Sequence, residues 1–136
     1  MIVCIYRDHL RYFQKKCEKS KVEQYAVLLG FRISPTIVEV HKWKYPRNLR
    51  VQTSDAVEGD FTKEYEYARQ YGMIVVGDVH SHINEDPIMS PTDFVNHRKN
   101  NFCVSGIISV NKKIIDVAFW ELHSPLPATL QYIKRG

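Results

Sequence analysis

Apolar positions recur along the chain with two periods, one of two residues and one near 3.6, and these mark out its elements. Ile2 to Tyr6 suits a short strand. Asp8 to about Glu18 sets Leu10, Phe13 and Cys17 at helical spacing, and Lys19, Ser20 and Lys21 then break the pattern. From Val22 to Ile33 the alternation predicts a long strand, with Glu23, Tyr25, Val27 and Leu29 on one face and Gln24, Ala26 and Leu28 on the other. Gly30 inside that strand signals a bulge or a close backbone approach. Ser34-Pro35 turns the chain, and Thr36 to His41, continuing toward Tyr45, returns as a hairpin partner.

Pro46 to Asp60 has little periodicity and reads as a long surface loop with a short strand around Leu49 to Thr53, the kind of segment that often carries function. Thr62 to Tyr71 is expected to be a helix closed by Gly72. Met73-Ile74-Val75-Val76 then reads as a buried strand leading into His80 and His82. A helix from Pro91 to about Asn100 follows, then a strand from Cys103 to Val110. A turn at Asn111-Lys112 leads to a strand from Lys113 to Trp120, in which Ile115, Val117 and Phe119 alternate. The tail from Leu122 to Gly136 holds two prolines and is expected to end in a short helical turn. With no internal repeat, low-complexity tract or linker, the pattern predicts a single α/β domain over residues 1–136.

Composition narrows the chemistry. A chain of 136 residues, 44% of them hydrophobic, can bury a core without a metal staple. The formal net charge of +4 permits an acidic partner, but the basic residues are scattered, which argues against nucleic acid. Cys4, Cys17 and Cys103 are odd in number and far apart, so they read as reduced core residues rather than a disulfide framework or thiolate cage. The N-terminus shows no long apolar signal and no run approaches a membrane span, so the expectation is a soluble, cytoplasmic protein.

Chemistry concentrates between Gly77 and Asp93. His80 and His82, two apart on a strand, are expected on one face. After a loop with Asn84, Asp86 and Pro87, the sequence Ser90-Pro91-Thr92-Asp93 carries a helix-start signature, with Ser90 as N-cap and Asp93 in the first turn. Singly, a strand histidine is most often a hydrogen-bonding residue and Ser-Pro-x-Asp a helix cap. Together, two imidazoles and a carboxylate suit a zinc ion with one position left open, the pattern of catalytic sites. The chain has no His-Glu-x-x-His helix, which excludes a thermolysin-like site, and no His-x-Glu followed by Pro-Cys-x-x-Cys, which argues against a nucleobase deaminase. A Ser90, His82, Asp93 triad lacks a nucleophile elbow. His9, His41, His97 and His123 have no such partner pattern and read as surface or structural residues.

His80-Ser81-His82, seven residues, Ser90, two residues and Asp93, with Glu23 upstream before Ala26-Val27-Leu28-Leu29-Gly30, resembles the JAMM metalloproteases, or MPN-plus domains. Two positions differ from the usual pattern: Ile83 stands where proline often follows the second histidine, and Asp78-Val79 where an aromatic often precedes the first. The resemblance is to the compact prokaryotic members. It implies a single-domain MPN (JAB-like) fold, a mixed central β-sheet flanked by helices with cytidine-deaminase-like architecture. It also implies one zinc per chain on His80, His82 and Asp93, with Glu23 as general base and Ser90 as oxyanion donor. The implied substrate is a ubiquitin or ubiquitin-like protein with a flexible C-terminal tail, cut at the peptide or isopeptide bond after its Gly-Gly end. Two alternatives stand beside this: processing of a small sulfur-carrier protein, and a non-catalytic MPN-like scaffold that binds partner proteins. Neither membrane nor nucleic acid is an expected partner.

Overall fold

The computed structural model describes residues 1–20, 24–46, 50–53, 56–58, 61–83, 102–110, 115–121 and 126–134. Its elements in order are β1 (Ile2–Ile5), α1 (Arg7–Lys19), β2 (Tyr25–Ser34), β3 (Ile37–Lys44), β4 (Arg50–Thr53), β5 (Ala56–Glu58), α2 (Thr62–Gln70), β6 (Ile74–Ile83), β7 (Val104–Val110), β8 (Ile115–Glu121) and β9 (Thr129–Tyr132). Seven of the strands form one mixed sheet in the order β8-β7-β6-β2-β3-β1-β9, and β4 and β5 form a separate hairpin. The fold is α/β, as the sequence pattern implies, with two helices among the described residues packed on this sheet. The expected helix after Pro91 and the expected turn at Asn111-Lys112 lie outside the described residues.

Strand alternation divides the apolar residues between the two faces of the sheet. On one face, Val3, Ile5, Ala26, Leu28, Val38, Val40, Val79, Val104, Ile108 and Phe119 bury against Leu10, Phe13 and Cys17 of α1. These three helix residues are the ones that the helical spacing selects. Asp8 in the first turn and Lys16 and Lys19 in the last complement the helix dipole. On the other face, Tyr25, Val27 and Leu29 pack with Ala68 of α2, joined by Phe61, Tyr67, Met73 and Val75. Gly72, at φ 70°, ends α2 in the left-handed conformation expected of a helix-closing glycine.

Of the register shifts in the sheet, two bear on the site. Between Leu29 and Gly30 the pairing of β2 with β3 slips, leaving His41 as an extra residue, and a Cβ on Gly30 would stand 1.8 Å from the Glu39 carbonyl oxygen. Both senses of the Gly30 signal are therefore realised. The second slip lies in the pairing of β2 with β6, where Leu28 pairs with Gly77 but Leu29 with Val75. Val76 is the extra residue there.

Three expectations are corrected or extended. The C-terminal tail forms no helical turn over residues 126–134; Thr129–Tyr132 is a strand that pairs in parallel with β1, Ile2 opposite Thr129 and Ile5 opposite Tyr132. An edge strand needs only its backbone and one inward residue, and Leu130 supplies that contact with the core. In the segment expected to be a loop, Ala56–Glu58 pairs with Arg50–Thr53, so the short strand foreseen near Leu49 has a partner. β6 runs on to Ile83, so both His80 and His82 belong to the strand itself. The cysteines are free, and no helix among the described residues is long and apolar enough to cross a membrane.

Candidate metal centre

The slip at Val76 decides which residues of β6 face α2. Val75 lies on that face, and unbroken alternation would put residues 77, 79 and 81 there too. The extra residue resets the parity. Val79 turns instead to the α1 core, while Asp78 pairs with Val27 and His80 with Tyr25, both residues of the α2 face. From Gly77 to Ile83 the pairing of β6 with β7 continues without a shift, His80 opposite Ile107 and His82 opposite Ser109. No bulge separates the two histidines. That uninterrupted spacing is what a pair of ligands on one strand requires.

His80 is buried, 9% exposed, among Tyr25 on β2 and Ile107 on β7. One step back along the same face, Asp78 is 6% exposed and accepts a hydrogen bond from the Tyr25 hydroxyl at 2.8 Å and another from the Ser105 hydroxyl. The donors come from the two strands that flank β6. A buried carboxylate is costly unless hydrogen-bonded, and this pair of donors offsets part of that cost. Burial, and then the Asp78 charge, push the Tyr25 phenol well above its ordinary value, so Tyr25 remains protonated and donating. The Phe61 ring, just ahead of α2, stacks on Tyr25 with centroids 5.9 Å apart.

Ser81 points to the opposite side, where it is fully enclosed, 1% exposed. Its hydroxyl accepts the Gln24 N–H at 2.7 Å, and its own N–H donates to the Gln24 carbonyl at 3.0 Å. The start of β2 is thereby fixed to the residue between the two histidines. Burial raises the Cys17 thiol to about 11, against which a hydrogen bond with Ser81 acts in the lowering direction. The expectation of a reduced core residue holds for Cys17.

Of the five residues that sequence reasoning assigns to the site, the structure sets His80 and His82 on one unbroken strand segment. Glu23, Ser90 and Asp93 lie outside the described residues. Among the described residues no three His, Cys, Asp or Glu side chains form a complete cation site. In donor type the pair suits zinc: two imidazole-bearing residues at positions i and i+2 of a strand segment without a register shift. His41 has a structural role, paired with Glu39 at 2.9 Å and packed edge-on against the rings of Tyr6 and Phe31. Sequence reasoning did not identify Asp78, Tyr25 and Ser105 as a group. The available signal was an acid two residues before His80 in an otherwise apolar run.

The His-x-His strand β6 is thus the third of seven in a mixed sheet packed by a helix on each face. The model for prokaryotic homologs of the JAB domain matches residues 7–123, and the chain belongs to that family. Among solved structures, the chain is similar to a JAB1/MPN domain protein from Archaeoglobus fulgidus, with a TM-score of 0.64, 14% identity, and coverage of 96% of this chain and 97% of that one. It is also similar to a protein from Desulfitobacterium hafniense solved in solution, with a TM-score of 0.70, 16% identity, and coverage of 98% and 94%. At these identities the likeness concerns the fold. A comparison with curated protein sequences finds no match.

Proposed function

We propose that this JAB-family chain is a zinc-dependent peptidase that hydrolyses the peptide or isopeptide bond following the Gly-Gly tail of ubiquitin or a ubiquitin-like protein. The observation that supports it most is the placement of His80 and His82 two apart on β6 with no register shift between them. His80, His82 and Asp93 would hold the metal. A zinc ion bound there supplies a Lewis acid for water and for the scissile carbonyl. Glu23 takes the proton from the attacking water and returns it to the leaving amine. Its neighbour Gln24 is bonded twice to Ser81, which ties that part of the chain to the histidine strand. Ser90 donates a hydrogen bond to the developing oxyanion, a contribution worth about 3 kcal/mol when the donor is preorganised. The substrate enters as an extended tail, because only an extended chain can be held in line for attack.

The test combines metal analysis with cleavage. Wild-type protein is expected to hold one zinc and to cut a ubiquitin-like fusion after Gly-Gly, and His82→Ala to lose both properties. Equal zinc content in the two proteins would remove the ligand assignment. Zinc binding with the Gly-Gly fusion intact and unrelated peptides cut would remove the substrate class.

A further inference from the structure

Strand β6 begins ahead of its neighbour β7. Their pairing starts with Gly77 opposite Val104, so Ile74, Val75 and Val76 have β2 on one side and no paired strand among the described residues on the other. Phe102 and Cys103, which would continue the parallel ladder, are not part of β7. Such an edge presents main-chain N–H and C=O groups for pairing, and folds guard it with charges, prolines or bulges. Here the bulge at Val76 stands at the inner end. Met73, Ile74 and Val75 ahead of it carry neither charge nor proline, and Ile74 is half exposed.

The same edge borders a cavity. Helix α2 turns Tyr67 toward β3, where the Lys44 Nζ lies 3.7 Å from the ring centroid. Its opposite side, with Tyr65 and Arg69, therefore looks across β6 toward β7. The cavity there has a volume of about 750 Å³, and its walls include Tyr65, Glu66, Arg69, Met73, Ile74 and Val75. That volume is in the range of ligand sites. Arg69 makes no ion pair among the described residues, although Glu66 is one turn away.

We infer that this groove takes up an extended peptide segment of a partner protein, which adds as a short strand to the start of β6. Each feature specifies one property of the occupant. The strand edge requires an extended main chain, the apolar wall requires apolar side chains at alternate positions, and the guanidinium of Arg69 requires a carboxylate. Ile74 is six residues before His80, about 20 Å along the strand, so the groove is separate from the histidine pair and independent of the zinc reading.

The probe is a dye-labelled heptapeptide of alternating threonine and valine with one central glutamate, and its binding to the purified full chain is read by fluorescence anisotropy. Saturable binding is expected below millimolar peptide, and it should be lost when alternate peptide nitrogens are methylated, because this removes main-chain donors and keeps the side chains. Ile74→Lys should abolish binding at an unchanged melting temperature, since a lysine blunts an exposed edge. If that variant is not recovered folded, Tyr65→Ser, at a half-exposed wall position, takes its place. Arg69→Glu should weaken the glutamate peptide by about fivefold or more and leave a glutamine version nearly unchanged. Absence of binding at millimolar peptide overturns the inference, as does equal binding of the methylated peptide. An equal response of the glutamate and glutamine peptides to Arg69→Glu overturns the acidic preference. A concentration-dependent dimer that Ile74→Lys abolishes, with no peptide bound, assigns the groove to a second copy of the chain and overturns the partner peptide.

Discussion

Gln24 and Ser81 are bonded to each other in both directions: the Gln24 N–H donates to the Ser81 hydroxyl at 2.7 Å, and the Ser81 N–H donates to the Gln24 carbonyl at 3.0 Å. The pair closes the start of β2 onto the strand position between His80 and His82. Ser81→Ala removes the acceptor of the N–H of Gln24, a half-buried residue beside the enclosed Ser81. Leaving such a donor unsatisfied costs about 1–3 kcal/mol. The variant should therefore unfold at lower urea and melt several degrees earlier. An unchanged urea midpoint would show that the hydroxyl contributes nothing to the closure.

Gly30 and Gly72 should respond very differently to alanine. At Gly30 a Cβ would stand 1.8 Å from the Glu39 carbonyl oxygen, a clash with backbone that only movement of β3 relieves. At Gly72 nothing lies within 4 Å, so the cost is that of a left-handed φ alone, about 1–2 kcal/mol. Gly30→Ala should lose about 3 kcal/mol or more, or fail to fold. Urea unfolding of both variants checks the order, and equal losses would contradict the close approach.

Stability should fall on the alkaline side. Burial raises the Cys17 thiol from 9.0 to about 11, and burial likewise raises the Tyr25 and Tyr45 phenols. A raised folded value means that between pH 9 and 11 the folded chain keeps the Cys17 proton while the unfolded chain releases it. The unfolded state then binds fewer protons, so stability present below pH 9 is lost as pH rises toward 11. Unfolding free energies at about pH 8 and pH 10.5 should differ in that sense. The difference should be smaller in Cys17→Ala, although that variant starts less stable because it leaves a cavity.

Periodicity made most of the fold legible. Leu10, Phe13 and Cys17 were set by helical spacing, and the alternation in β2 separated Tyr25, Val27 and Leu29 from Ala26 and Leu28. β9 was not legible, because a four-residue edge strand has almost no pattern of its own and its partner β1 lies at the other end of the chain. The histidine pair could be read from spacing alone. Its facing could not, since the slip at Val76 reverses the parity set by the preceding apolar run, and the adjacent Gly77 does not by itself say on which side of it the alternation resets. The partners of Asp78 were hidden for a related reason: Tyr25 is 53 residues away and Ser105 27, and only strand order brings them together.

Glu23 is where the proposed chemistry is most open to test. It immediately precedes Gln24, whose backbone is tied to the histidine strand, and the proposed reaction needs a carboxylate to move the proton of the attacking water. The competing view is that Glu23 is a solvated residue following the polar run Lys19, Ser20 and Lys21. Glu23→Gln distinguishes the two, because glutamine has nearly the same shape but cannot accept and return a proton at neutral pH. If Glu23 is the general base, the variant should keep its zinc and its melting temperature while turnover falls by about a hundredfold or more. A solvated glutamate would leave the rate unchanged. Loss of zinc in the variant would instead make Glu23 a ligand. Metal content, melting temperature and rate measured on one preparation separate the three outcomes, since each predicts a different combination.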